Sequence, residues 1–178
     1  MGSVVHMSTE GYISLGLGIT SIFLAIGINW YRNLQEDKRR KENERFFVKQ
    51  IQNNLKKMAQ YFLDVETETK RNEDESHNND VMMMALKTFY LRNDQEMKDV
   101  LYQTKLYLPF WNTLSTEDKK DLNSILDIFS WLLYDYYPSS LPESMREITV
   151  NNSRKIFLEK KDYVMNTSQQ LLEKHNQV

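Results

Sequence analysis

The sequence predicts an all-α protein: a single N-terminal transmembrane helix followed by a cytoplasmic bundle of about five helices. Three observations carry that expectation. Between Tyr12 and Tyr31 no Asp, Glu, Lys, Arg or His occurs. All five glycines lie at or before Gly27, so the rest of the chain lacks the glycine turns that β-hairpins prefer. Beyond the uncharged run, apolar residues recur at intervals of three and four, the spacing that lines one face of an α-helix.

Taken as a helix, the run 12–31 covers about 30 Å, the thickness of a bilayer's hydrocarbon core. Ile13, Leu15, Leu17, Ile19, Ile22, Phe23, Leu24, Ile26 and Ile28 together favour insertion by roughly 3 to 5 kcal/mol. Tyr12 at one end, and Trp30 with Tyr31 at the other, suit the aromatic belts of the two membrane interfaces. A cleaved export signal is the competing reading. It needs a basic leading region and a shorter apolar core, whereas residues 1–11 contain no Lys or Arg. The run is therefore expected to stay as an anchor, preceded by a short extracytoplasmic tail at 1–11.

Basic residues follow the run and none precedes it: Arg32, Lys38, Arg39, Arg40, Lys41, Arg45 and Lys49. The asymmetry places the N-terminus outside and the C-terminal region in the cytoplasm, at the inner membrane if the cell is bacterial. The juxtamembrane group Arg32, Lys38, Arg39, Arg40 and Lys41 also suits anionic headgroups, diluted by neighbouring carboxylates. Membrane lipid is thus the first expected partner. Gly11, Ser14, Gly18, Ser21 and Ala25 share one helical face, and small residues let membrane helices approach closely. A homo-oligomer through the membrane and juxtamembrane helices is expected, with this face packing on its own copy or on another membrane protein, against the plainer alternative that such residues are simply common in membrane helices.

Residues 32–66 read as a basic segment leading into a long amphipathic helix, whose Val48, Ile51, Leu55, Met58, Phe62 and Val65 alternate spacings of three and four. Phe47, Ala59 and Leu63 widen that stripe, which favours packing into a core over a free coiled coil. The segment 67–80 (TETKRNEDESHNND) has no apolar residue and reads as a mobile polar loop. The cytoplasmic helical domain then covers 81–178. A short helix capped by Asn79 or Asp80 is expected to stop near Asn93, and a second, capped by Asp94, to run to Pro109. Ser115 and Asp118 form a capping-box-like start for a helix burying Leu122, Ile125, Phe129, Leu132 and Tyr136 and ending before Pro138. Pro142 opens the last helical region, to about Lys174, with a possible interruption at 151–153.

The formal net charge of −2 offers no bulk attraction to polyanions, so duplex nucleic acid is not an expected partner. The absence of Cys removes disulfides and thiolate chemistry. The absence of Gly after position 27 removes phosphate-cradling loops, dinucleotide fingerprints and nucleophile elbows. His6, His77 and His175 stand alone in the sequence. No catalytic residue, metal ligand or cofactor is therefore expected, and the chain reads as a non-enzyme. Asp127 and Asp135, on the aromatic stretch DIFSWLLYDYY, are placed to pair with a base or bond a Tyr hydroxyl.

The concentration of aromatics over 89–137 has two readings: a core of large side chains, or a stacking site for a flat ligand such as a nucleotide base. For the second, Lys87, Arg92, Lys105, Trp111, Trp131 and Tyr134 are the candidate ligand-binding residues, with Lys98 and Arg146 as further cations. A stacking ring would be partly exposed beside a base; a core ring would be buried. Two functions follow. The first is a membrane-anchored, non-enzymatic oligomerising interaction or sensing module. The second, by architecture alone, is similar to bacterial antiviral-defence membrane effectors, in which a cytoplasmic domain binds an anionic nucleotide messenger at a subunit interface.

Overall fold

A computed structural model describes the backbone of residues 9–76, 79–138 and 141–175, with the side chains of residues 9–20, 22, 71–80 and 143 outside the described set. It contains four α-helices, and no strand among the described residues: α1 (Thr9–Ser76), α2 (Asn79–Tyr107), α3 (Thr116–Trp131) and α4 (Glu143–His175). A 3-10 turn (Leu108–Phe110) follows α2 and a π-helical turn (Leu132–Tyr136) follows α3. The chain is all-α as expected, but with four helices where about five were predicted.

The lower count has local causes. No break occurs at Asn93 and Asp94, because neither side chain caps a new helix. Asn93 Nδ2 instead donates back to the Phe89 carbonyl at 2.9 Å, and Asp94 accepts from Lys98 one turn later at 2.5 Å. The predicted loop at 67–80 is helical through Ser76. Its residues are polar but include no Gly or Pro. Glu66 pairs with Lys70 at 2.8 Å, and the Thr67 and Thr69 hydroxyls satisfy the Leu63 and Glu66 carbonyls. Helix α4 likewise runs through 151–153 without interruption.

Packing divides the chain into two units, Met1–Asn43 and Glu44–Val178. In the first, the described apolar residues Phe23, Leu24, Ile26, Ile28, Trp30 and Tyr31 are all exposed, Phe23 by 69 %. A Cβ added at Gly27 would meet nothing within 4 Å. Arg32, Lys38, Arg39, Arg40 and Lys41 are exposed too. Among the described residues no helix is long and apolar enough to cross a membrane. Half of the side chains of the predicted span 12–31, including Ser14 and Gly18 of the small-residue face, lie outside that set, as does Gly11 just before it. Ser21 and Ala25 are described and exposed.

In the second unit, the predicted stripe of α1 forms the wall of a hydrophobic core: Ile51, Leu55, Met58, Phe62 and Val65 have no exposed surface. Opposite it, α2 contributes Met83, Leu86 and Met97, α3 contributes Leu122, Ile125 and Phe129, and α4 contributes Val150, Phe157, Val164 and Leu171. The α4 residues stand seven apart, a period that keeps one seam facing inward along a long helix. Each such side chain contributes about 1.5 to 3 kcal/mol by leaving water. One polar pair interrupts the apolar seam. Asn54 Nδ2 donates to Thr104 Oγ1 at 3.1 Å, and the Thr104 hydroxyl donates to Val100 O at 2.7 Å, so both buried groups are partnered.

Candidate functional site

The sequence around 129–146 combines a crowded aromatic stretch with two prolines, and the helix cannot pass Pro138 in regular form. Before it stops, α3 widens into the π-helical turn Leu132–Tyr136. Such turns loosen the ladder of backbone hydrogen bonds and occur often at functional sites. Here a side chain from another helix supports the turn: the Tyr90 hydroxyl donates to Leu132 O at 2.7 Å. Tyr90 is buried, which pushes its phenol well above the ordinary value and keeps it a neutral donor.

Tyr137 follows the turn and stacks on Tyr90, with ring centroids 5.0 Å apart and planes 17° apart. The chain then turns, with Leu141 N donating to Pro138 O at 3.0 Å, and Pro142 O accepts from the amides of Met145 and Arg146, both at 3.0 Å. This geometry returns Arg146 to Tyr137. Its Nε donates to Leu141 O at 2.7 Å, an Nη donates to the Tyr137 hydroxyl at 3.0 Å, and the guanidinium lies 5.3 Å from the ring centroid. Arg146 is half-buried and fixed at three points.

Beside this stack is a cavity of about 340 Å³. Lys87, Tyr90 and Asp94 of α2, Leu133 and Tyr137 from the end of α3, and Arg146 of α4 line it. Asp94 is held by Lys98, and the other charged residues of the lining, Lys87 and Arg146, are basic. A larger open groove of about 550 Å³ lies between α1 and α2, bordered by Asp64, Glu68, Met84, Phe89 and Arg92.

The six candidate residues named from sequence do not converge. Lys87 lines the first cavity and Arg92 the second groove. Lys105 is exposed in the last turn of α2. Trp111 is 1 % exposed and meets the His175 ring edge-on at 5.2 Å, so its faces are not open to a ligand. Trp131 is half-buried under Lys160 of α4, whose Nζ stands 4.9 Å from the ring. Tyr134 is half-exposed, on the side of Lys98. Asp127 and Asp135 are exposed. The Tyr137–Arg146 pairing has no signal in the sequence beyond an aromatic and a cation, because it depends on the turn between Pro138 and Pro142.

A second cluster ties the bundle's ends together. The Ser115 hydroxyl accepts from Asp118 N at 3.1 Å and Asp118 Oδ2 accepts from Ser115 N at 3.4 Å, completing the predicted capping box. Lys174 Nζ donates to Asp118 Oδ1 at 2.7 Å, and His175 Nε2 stands 3.1 Å from Oδ2. Burial works against the Asp118 charge, but the hydrogen bonds from Lys174, Ser115 and His175 outweigh it and hold the carboxyl well below its usual range. The cluster fastens α4 to α3. Among the described residues no group of three His, Asp or Glu side chains suits a metal ion. Comparison with protein-family models, curated proteins and solved structures finds no match for the chain.

Proposed function

We propose that the chain is a single-pass, membrane-anchored, non-enzymatic module whose helical cytoplasmic domain assembles and senses. The anchor is the run 12–31, and the observation that carries the reading is the absence of any Asp, Glu, Lys, Arg or His along it. The described residues within that run support it, since Phe23, Leu24, Ile26 and Ile28 project from the helix with more than half their surface exposed. In water so many exposed apolar groups on one helix are unfavourable, and in lipid each is stabilising. The one-sided basic cluster from Arg32 to Lys49 supports a cytoplasmic domain.

The domain's architecture suits binding better than catalysis. Two of its carboxylates are engaged in structural pairs, buried Asp118 with Lys174 and half-buried Glu66 with Lys161. Carbonate extraction of membranes from cells expressing the full chain tests the anchor. The protein is expected in the pellet, and Ile22→Asp, which reverses most of the insertion free energy at about 4 kcal/mol, should shift it to the supernatant. Release of the unsubstituted chain by carbonate would refute the anchor.

A nucleotide-gated effector is the second reading, and one observation favours it: the cationic cavity at Lys87 and Arg146. The aromatic part of that reading is weaker, because Tyr90, Trp111, Tyr136 and Tyr137 are buried.

A further inference from the structure

We propose that the cavity between α2, the π-helical turn and α4 is a binding site for a small soluble anion bearing phosphate or carboxylate groups, with Arg146 as its principal contact and Lys87 as the second. This deepens the sensing half of the functional reading, yet binding here does not depend on membrane insertion, so the two fail separately.

The geometry singles out Arg146. A half-buried guanidinium ordinarily has a carboxylate partner, because burial penalises an unpaired charge. Arg146 has two neutral oxygens, Leu141 O and the Tyr137 hydroxyl, and the Tyr137 ring. No carboxylate among the described residues pairs with it. The carboxylate on the same cavity wall, Asp94, is bound to Lys98 at 2.5 Å. The fixed guanidinium is thus oriented before any ligand arrives, and an oriented fork loses little entropy when it takes an oxyanion.

The surroundings define the ligand further. Tyr137 accepts a hydrogen bond from Arg146, which leaves its own proton available to a second acceptor. Its ring is stacked on Tyr90 and only 3 % exposed, so it offers no platform for a base. Leu91 and Leu133 complete the wall with apolar surface. A cavity of about 340 Å³ is at the small end of the range for ligand pockets. The recognised chemistry is therefore an oxyanion read by charge and hydrogen bonds, with at most a compact apolar portion.

The test is calorimetric titration of the full chain in detergent micelles with pyrophosphate, citrate and adenosine monophosphate. Saturable binding of at least one probe is expected, and the pattern separates phosphate from carboxylate recognition. Arg146→Gln should weaken it by about tenfold or more, the loss typical of a charge-assisted pair. Arg146 also closes the turn before α4, so a second variant guards against a folding defect. Leu91 is 78 % exposed at the cavity, and Leu91→Glu should preserve the fold while repelling the anion, with a similar loss. Lys160→Gln, whose side chain lies on Trp131, should leave binding unchanged. No saturable binding of any probe, or binding that Leu91→Glu leaves intact, would overturn the proposal.

Discussion

His175 Nε2 lies 3.1 Å from Asp118 Oδ2 across 57 residues of chain, and both side chains are buried. The carboxylate that caps the start of α3 also receives Lys174 at 2.7 Å, so one acidic group serves two helices. Asp118→Asn removes the charge but retains the shape. It should destabilise the domain by about 2 kcal/mol, the scale of losing charge-assisted hydrogen bonds to a buried group. Urea unfolding followed by circular dichroism measures it, and an unchanged midpoint would dismiss the pin.

Acid stability follows from the same carboxylate. Asp118 and Glu66 both have folded values depressed below the ordinary ones, Asp118 through Lys174, Ser115 and His175 against the effect of burial, and Glu66 through Lys70 and then Lys161. A depressed folded value means the unfolded chain binds protons first. Their stabilisation is fully present above about pH 5 and is lost progressively as pH falls through the carboxylate range toward the folded values. Midpoints measured between pH 6 and pH 3 should fall steadily, and Asp118→Asn should flatten the slope.

Tyr90→Phe isolates the support of the π-helical turn. The substitution keeps the ring that stacks on Tyr137 but removes the donor to the buried Leu132 carbonyl. A cost of about 1 to 2 kcal/mol is expected, together with weaker anion binding if the turn sets the position of Tyr137. Stability equal to the unsubstituted chain would mean that the turn closes without it.

The proposed assembly through the run 12–31 has its own signature. Gly18→Leu with Ser21→Leu roughens the small-residue face without reducing hydrophobicity. The full chain in detergent should scatter light as a species larger than a monomer, and the double substitution should shift it toward the monomer. A monomer from the start would remove this interface.

Much of the fold was legible because apolar spacing is a direct record of which face is buried. Val48 to Val65 and Leu122 to Phe129 were read as inward faces, and they are buried. The Ser115–Asp118 box was legible because both of its bonds are local. The merged helices were not. Asn93 and Asp94 are typical cap residues, and only their actual bonds, back to Phe89 and on to Lys98, show that the helix continues. Polarity in 67–76 suggests irregularity, yet the helix continues through Ser76, because an absence of apolar residues says nothing against helix when no breaker is present. At the candidate site the individual groups were visible, but convergence of Lys87, Tyr137 and Arg146 depends on a π-helical turn and a proline turn, neither of which has a periodic signal.

The proposed membrane anchor has a direction, and the cysteine-free chain makes that direction measurable. Single cysteines are introduced as Ser8→Cys, before the run, and Asn166→Cys, on the exposed face of α4. Intact cells or spheroplasts are then treated with a membrane-impermeant maleimide. Ser8→Cys is expected to be labelled in intact cells, and Asn166→Cys only after permeabilisation. Labelling of Asn166→Cys from outside, or protection of both sites until permeabilisation, would contradict the proposed direction.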